Sequence, residues 1–133
     1  MTRFNDKVVI VTGAGSGIGA ATARRFADEG ATVVLAGRTQ DKLDRIAAGL
    51  PAGKYLVRVT DVSQQAEVEG LVADTVRQFG RLDVLVNNAG TAVEGKITES
   101  SIDDWKKVMS TDLDGVYFGC RSAIPQLIVT GGS

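Results

Sequence analysis

Apolar positions along this chain alternate between two spacings, and the alternation predicts its elements in order. Val8-Val9-Ile10-Val11 is a continuous β-branched run, the mark of a strand buried on both faces. A helix follows over Ile18 to Glu29, with Phe26 and Ala27 turned inward and Gly30 where a C′ glycine belongs. Thr32 to Ala36 reads as a second strand. Thr39 can N-cap a helix whose Leu43, Ile46, Ala47 and Leu50 share one face, and Pro51 stops it. Tyr55 to Val59 is a third, weaker strand. Ser63 can cap the next helix, where Val68, Leu71, Val72, Val76 and Phe79 recur at helical spacing before Gly80. Asp83 to Val86 is the fourth strand. Ser101 and Asp104 form a capping box for a helix carrying Ile102, Trp105 and Val108. A last helical stretch is expected from Asp112 to Ile128, interrupted by Gly115, Gly119 and Pro125.

Strand and helix alternating four times is the grammar of a parallel sheet with helices on both faces, an α/β fold. Right-handed crossovers make it doubly wound. Residues 1–133 read as one domain without linker, low-complexity segment or internal repeat.

Composition narrows the chemistry. The net charge of −1 gives no electrostatic case for nucleic acid or an anionic membrane, and no apolar run approaches transmembrane length. Cys120 is the only cysteine, which excludes an intramolecular disulfide and suits a reducing cytosol. With no histidine, Ser-His and Cys-His nucleophile pairs are absent and no metal site is expected. A soluble, cytoplasmic domain is the expectation.

One loop stands out. Thr12 to Gly19 reads T-G-A-G-S-G-I-G between the first strand and the first helix. In the register that starts at Gly13, this glycine permits the turn, Gly17 lets backbone approach a pyrophosphate, and Gly19 lets helix and sheet pack closely. A second register, G-x-G-x-x-A from Gly15 to Ala20, is also readable. The helix N-terminus offers free N–H groups and a positive dipole end to an anion. The bland alternative is a loop rich in glycine only for packing. Against it, the other strands also end in polar or glycine-bearing residues: Gly37-Arg38, Asp61-Val62 and Asn87-Asn88-Ala89-Gly90. In a doubly wound sheet, ligands bind outside those ends. A flavodoxin-like or response-regulator domain shares the alternation but not the glycine loop or the Asn-Asn-Ala-Gly turn.

T-G-x-x-x-G-I-G at Thr12 to Gly19, with N-N-A-G at Asn87 to Gly90 and the Asp61-Val62 pair between them, resembles the classical short-chain dehydrogenase/reductase family. The resemblance covers essentially the whole chain. It implies a Rossmann-type sheet whose four strands here take the order 3-2-1-4. It also implies a nicotinamide cofactor, with Gly13, Ser16, Gly17, Ile18 and Gly19 around the phosphates. Asp61 and Val62 are then expected at the adenine, and Asn88, Ala89 and Gly90 along the ribose and nicotinamide; an Asx turn is the structural alternative for Asp61. An acidic residue at the end of strand two would favour NAD by binding the ribose 2′-OH. Gly37 stands at that position and Arg38 follows, so NADP(H) is expected over NAD(H), through a guanidinium paired with the 2′-phosphate. A solvated arginine at a helix start is the alternative, and Ser16 stands near where many NADP-using relatives carry a basic residue.

The family's catalytic tyrosine precedes a lysine by four positions. Tyr55 and Tyr117 are followed at that distance by Val59 and Arg121, so the chain holds no Tyr-x-x-x-Lys. Ser133 lies too early for the family's serine, and Ile128 to Ser133 reads as the run into a fifth strand. The family asparagine falls at Asp112, which is carried over as a catalytic candidate; a helix-surface aspartate is the alternative. A carboxylate there accepts hydrogen bonds but cannot donate as an amide does. The expectation is the first half of a longer enzyme, inactive alone, with strand four an open apolar edge. The full enzyme would interconvert a small-molecule carbonyl and a secondary alcohol, as a homo-oligomer (dimer or tetramer). The opening Arg3 to Gly15, with Ala23-Arg24-Arg25-Phe26, is similar to acetoin (2,3-butanediol) reductases; 3-oxoacyl-carrier-protein reductases stand beside them. The competing class is a truncated, non-catalytic dinucleotide-binding or assembly module.

Overall fold

Val8–Thr12 (β1) lies at the centre of a parallel sheet, every one of its five residues buried. Thr32–Gly37 (β2) pairs with one side of it, Val8 against Thr32 through Thr12 against Ala36, and Tyr55–Val59 (β3) pairs with β2. Val84–Val86 (β4) pairs with the other side of β1, giving the order β3-β2-β1-β4. This is a computed structural model describing residues 2–133.

Alternation along the strands divides the core into two layers. Val9, Val11, Val33 and Leu35 face Gly17–Asp28 (α1) and Gln40–Ala47 (α2), through Ala20, Ala23, Ala27, Leu43 and Ile46. Val8, Ile10, Val34 and Ala36 face Gln65–Phe79 (α3) and the last helix, through Leu71, Val72 and Ala123. Helices therefore cover both faces of a Rossmann-like sheet, as β-branched runs without alternation require.

Several local expectations are corrected. Thr39 holds the N-cap position of α2 but its side chain makes no capping bond. Ser63 does not cap α3: its N–H and hydroxyl both donate to Asp61 Oδ1, at 3.0 and 2.7 Å, so the turn consumes the serine and Gln64 becomes the N-cap. Ile102–Met109 (α4) starts as expected, Asp104 N–H donating to Ser101 Oγ at 3.0 Å, but buries no residue. Its C-terminus runs through a π-helical turn, Ser110–Asp114, into Gly115–Thr130 (α5). The glycines expected to interrupt α5 instead face inward as contact points, and Pro125 sits inside the helix without ending it. Ile128 to Thr130 is helical, and only after Gly131 does the chain turn. Ser133 then pairs along the outer edge of β4, donating to Asp83 O and accepting from Leu85 N–H, both at 2.9 Å. That contact engages part of the edge expected to be open.

Ionic clamps hold the sheet at the end where the strands begin. Asp83 accepts the Val8 N–H at 2.9 Å and a two-pronged contact from Arg81 at 2.7 and 2.6 Å. Burial pushes its carboxyl upward, but Arg81 and the Val8 N–H outweigh that and hold it below the usual range. At the C-terminus of α1, buried Glu29 accepts from Arg3 on the N-terminal segment and from Arg25 one turn earlier on the helix, the latter at 2.7 Å. Phe4 packs edge-on against Phe26, ring centres 4.8 Å apart, so the same segment is fixed twice. The Arg3 hydrogen bond dominates over burial and lowers the Glu29 carboxyl from 4.5 to about 2. Because the folded value lies below the unfolded one, the clamp stabilises fully above the unfolded value and fades as pH falls through the folded one. Glu29→Gln is therefore expected to lower the urea midpoint at about pH 7, and the gap from wild type should close toward pH 2. A gap independent of pH in urea titrations at both ends would show that charge plays no part.

Candidate functional site

At the opposite end, where the strands finish, the chain opens a cleft of about 500 Å³. Its floor is built by one buried hydroxyl. Thr12, last residue of β1, accepts the N–H groups of both Asn88 and Ala89 at 3.0 Å and donates to Val86 O at 3.3 Å. Asn88 returns the contact with its side-chain amide, donating to Thr12 O at 3.0 Å and Gly13 O at 3.3 Å. The loops after β1 and β4 are thus tied together across the sheet. The glycine loop is also tied to β2, Ala14 N–H donating to Ala36 O at 3.0 Å.

Packing at this junction leaves no room for side chains at two motif glycines. A Cβ on Gly13 would lie 2.8 Å from Asn88 Nδ2 and 2.9 Å from Ala89 Cα, and the residue has φ +64°. A Cβ on Gly19 would collide with Gly13 O and Asn88 Nδ2. Gly17 differs: it has φ +54°, yet a Cβ there would meet nothing within 4 Å, because that side faces open cleft. Gly13, Gly17 and Gly19 have the turn, the open approach and the tight packing that the Gly13 register calls for.

The cleft is chemically suited to an anion at one point. Ser16 is the N-cap of α1 but makes no side-chain capping bond, and the first turn of α1 carries no carboxylate. Helices α2, α3 and α4 each place an acidic residue there: Asp41, Glu67, and Asp103 with Asp104. The dipole end of α1 is left without a side-chain cap or an acidic residue, beside the cleft.

Of the residues expected around a cofactor, Gly13, Ser16, Gly17, Ile18, Arg38, Asp61, Val62, Asn88, Ala89 and Gly90 line the cleft. Gly19 does not; it lies beneath, as the packing glycine. The Asp61 side chain forms the Asx turn with Ser63 while still lining the cleft. Val62 is buried, wedged against α5 where a Cβ on Gly115 would come within 2.7 Å of Val62 Cγ2. Asp112, in the π-helical turn, is not a lining residue. Its Oδ1 accepts the Thr91 N–H at 2.8 Å, fastening the loop that follows Gly90, and its neighbour Thr111 reaches the cleft.

Sequence reasoning passed over Thr12 as the tie and Gly15, Thr39, Lys42, Leu43, Thr60 and Thr111 as cleft wall. Thr12 carried a signal, a lone hydroxyl closing an all-apolar strand. Gly15 was visible only as part of a second glycine register, and the rest carried no signal, because the six come from four segments that only the fold brings together.

A family model for short chain dehydrogenases matches residues 7–133. A meso-2,3-butanediol dehydrogenase of Serratia marcescens is 47% identical over 98% of this chain and 52% of its own length. An uncharacterised oxidoreductase of Staphylococcus aureus is 40% identical over 96% of this chain and 55% of its own. Among solved structures, a short-chain dehydrogenase/reductase of Burkholderia phymatum in complex with NAD superposes with a TM-score of 0.90 at 36% identity, covering all of this chain and 48% of that one. One of Caenorhabditis elegans, solved with cofactor, gives 0.91 at 34%, covering 98% of this chain and 51% of that one. The chain spans about half the length of the curated relatives it matches.

The Thr12 tie makes a prediction that needs no ligand. Thr12→Val keeps the shape and removes the acceptor of two backbone N–H groups, at an expected cost of about 1–3 kcal/mol in urea unfolding. Thr12→Ser should recover most of it. Equal stability of the valine variant and wild type would contradict the tie.

Proposed function

This chain belongs to the short-chain dehydrogenase family, and on that premise we propose that the protein is an oxidoreductase interconverting a carbonyl and a secondary alcohol with NADP(H) in preference to NAD(H). The observation that carries the reading is the bare N-terminus of α1, uncapped and free of carboxylates, with the open side of Gly17 facing the cleft. A pyrophosphate fits that cradle. The nicotinamide, when bound, supplies the hydride chemistry; the residues of this chain hold and orient it. Gly13, Ser16, Gly17 and Ile18 take the phosphates from above, with Gly19 packed below. Asp61 and Val62 take the adenine, and the backbone of Asn88, Ala89 and Gly90 the ribose and nicotinamide side. Asp112 serves the reaction by holding that last loop.

Arg38 supports the NADP(H) preference. It follows β2 directly, lines the cleft, and among the described residues pairs with no carboxylate. The Serratia relative's name makes vicinal diols and hydroxyketones the first substrates to try. Residues 1–133 act as one nucleotide-binding domain that supplies the cofactor side of the reaction; alone, without a Tyr-x-x-x-Lys, they bind cofactor without turnover. Exposed Ile102, Trp105, Leu113, Tyr117 and Ile124 on α4, the π-helical turn and α5 support a homo-oligomer, dimer or tetramer. The lone free cysteine suits the cytoplasm.

A fluorescence titration of NADPH and NADH tests the reading. NADPH is expected to bind more tightly, and Arg38→Ala to weaken it by about tenfold while leaving NADH unchanged. An unchanged NADPH affinity in the variant would remove the NADP(H) assignment, and no binding of either cofactor would remove the cradle. Hydride transfer is read in the whole protein as NADP⁺ reduction when a vicinal diol is added.

A further inference from the structure

Gly15 has no part in the Gly13 register, yet it is glycine. The structure gives a reason. A Cβ on Gly15 would lie 3.1 Å from Lys42 Cβ and 3.7 Å from Leu43 Cδ2, so the loop and the first turn of α2 touch at this point. A Cβ at position 15 would require Lys42 Cβ to give by a few tenths of an ångström. The contact brings Lys42 over the loop, and its side chain lines the same cleft as Gly37 and Arg38.

Arg38 and Lys42 thus line the same cleft from two elements, the end of β2 and the first turn of α2. Among the described residues Lys42, like Arg38, pairs with no carboxylate. Two such cations lining one cleft are both available to a dianion bound there. A ribose 2′-hydroxyl offers no charge and a single oxygen; a 2′-phosphate offers about two negative charges and three acceptor oxygens. The two side chains divide that task by chemistry. The guanidinium meets two oxygens in a fixed plane, and the ammonium acts as a mobile point charge.

We propose that Lys42 is a second specificity-determining residue for the 2′-phosphate of NADP(H), and that Gly15 sets its position by admitting the first turn of α2 against the loop. This rests on the NADP(H) reading above, and the test keeps the two apart.

Wild type, Lys42→Ala, Lys42→Gln and Lys42→Arg are titrated with NADPH and with NADH, with thermal melts confirming that each variant folds. The alanine and glutamine variants are expected to lose about fivefold in NADPH affinity and to keep NADH affinity within about twofold. The arginine variant should recover most of the loss, and the NADPH affinity of the alanine variant should depend less steeply on salt than that of wild type. Equal losses for both cofactors would make Lys42 a packing residue and overturn the proposal. If Arg38→Ala weakens NADPH and Lys42→Ala does not, the Lys42 assignment fails while the NADP(H) reading stands. If neither weakens it, both fail.

Discussion

The hydroxyl of Thr12 is the group on which the rest of the site depends. It is buried at the tip of the central strand and joins the two loops that any ligand at this edge must touch. Strands β1 and β4 are neighbours because a parallel sheet with right-handed crossovers reverses its winding there. That reversal leaves a gap between the following loops. Thr12 fills it from below and the Asn88 amide from the side, and Gly13 and Gly19 leave the space that amide occupies. The Asn88 side chain is spent on the scaffold, so the loop after β4 meets the cleft mainly through its backbone.

Polarity is distributed unequally along the sheet. Where the strands begin, every buried charge is matched: Glu29 by two arginines, Asp83 by Arg81 and a backbone N–H. Where the strands end, Arg38 and Lys42 have no carboxylate partner among the described residues, and the first turn of α1 has no acid. Buried charge without a partner is costly, so the closed end must be satisfied internally. Exposed charge without a partner costs little and remains available to a ligand. The same fold thus separates an end whose charges are paired internally from an end whose charges face the cleft.

How legible this was in the sequence varied with the range of the interaction. Tyr55–Val59 and the start of α4 at Ser101 were readable because β-branched spacing and capping chemistry are local. The strand order followed from the family resemblance carried by the motifs at Thr12 and Asn87. Ser63 misled because its hydroxyl had two possible uses, and Asp61, two residues before it, competed successfully with the helix. Gly115 and Gly119 looked like interruptions because a glycine in a helix is locally unfavourable. Their compensation lies at Val62 and Asn87, far off in the chain, where a Cβ would come within 2.7 and 2.5 Å. Lys42 and Gly15 were illegible for the same reason: neither means anything until α2 is laid over the loop.

The central claim is that the C-terminal edge of this sheet is a dinucleotide cradle and its other end a scaffold. Backbone amide NMR of the labelled protein during titration with NADPH tests it most directly. The account predicts shifts concentrated at Gly13 to Gly19, Arg38 to Lys42, Asp61-Val62 and Asn88 to Thr91, with Phe4, Glu29 and Asp83 undisturbed. Shifts centred on the Arg3–Glu29 end, or no saturable shifts at the glycine loop, would contradict it.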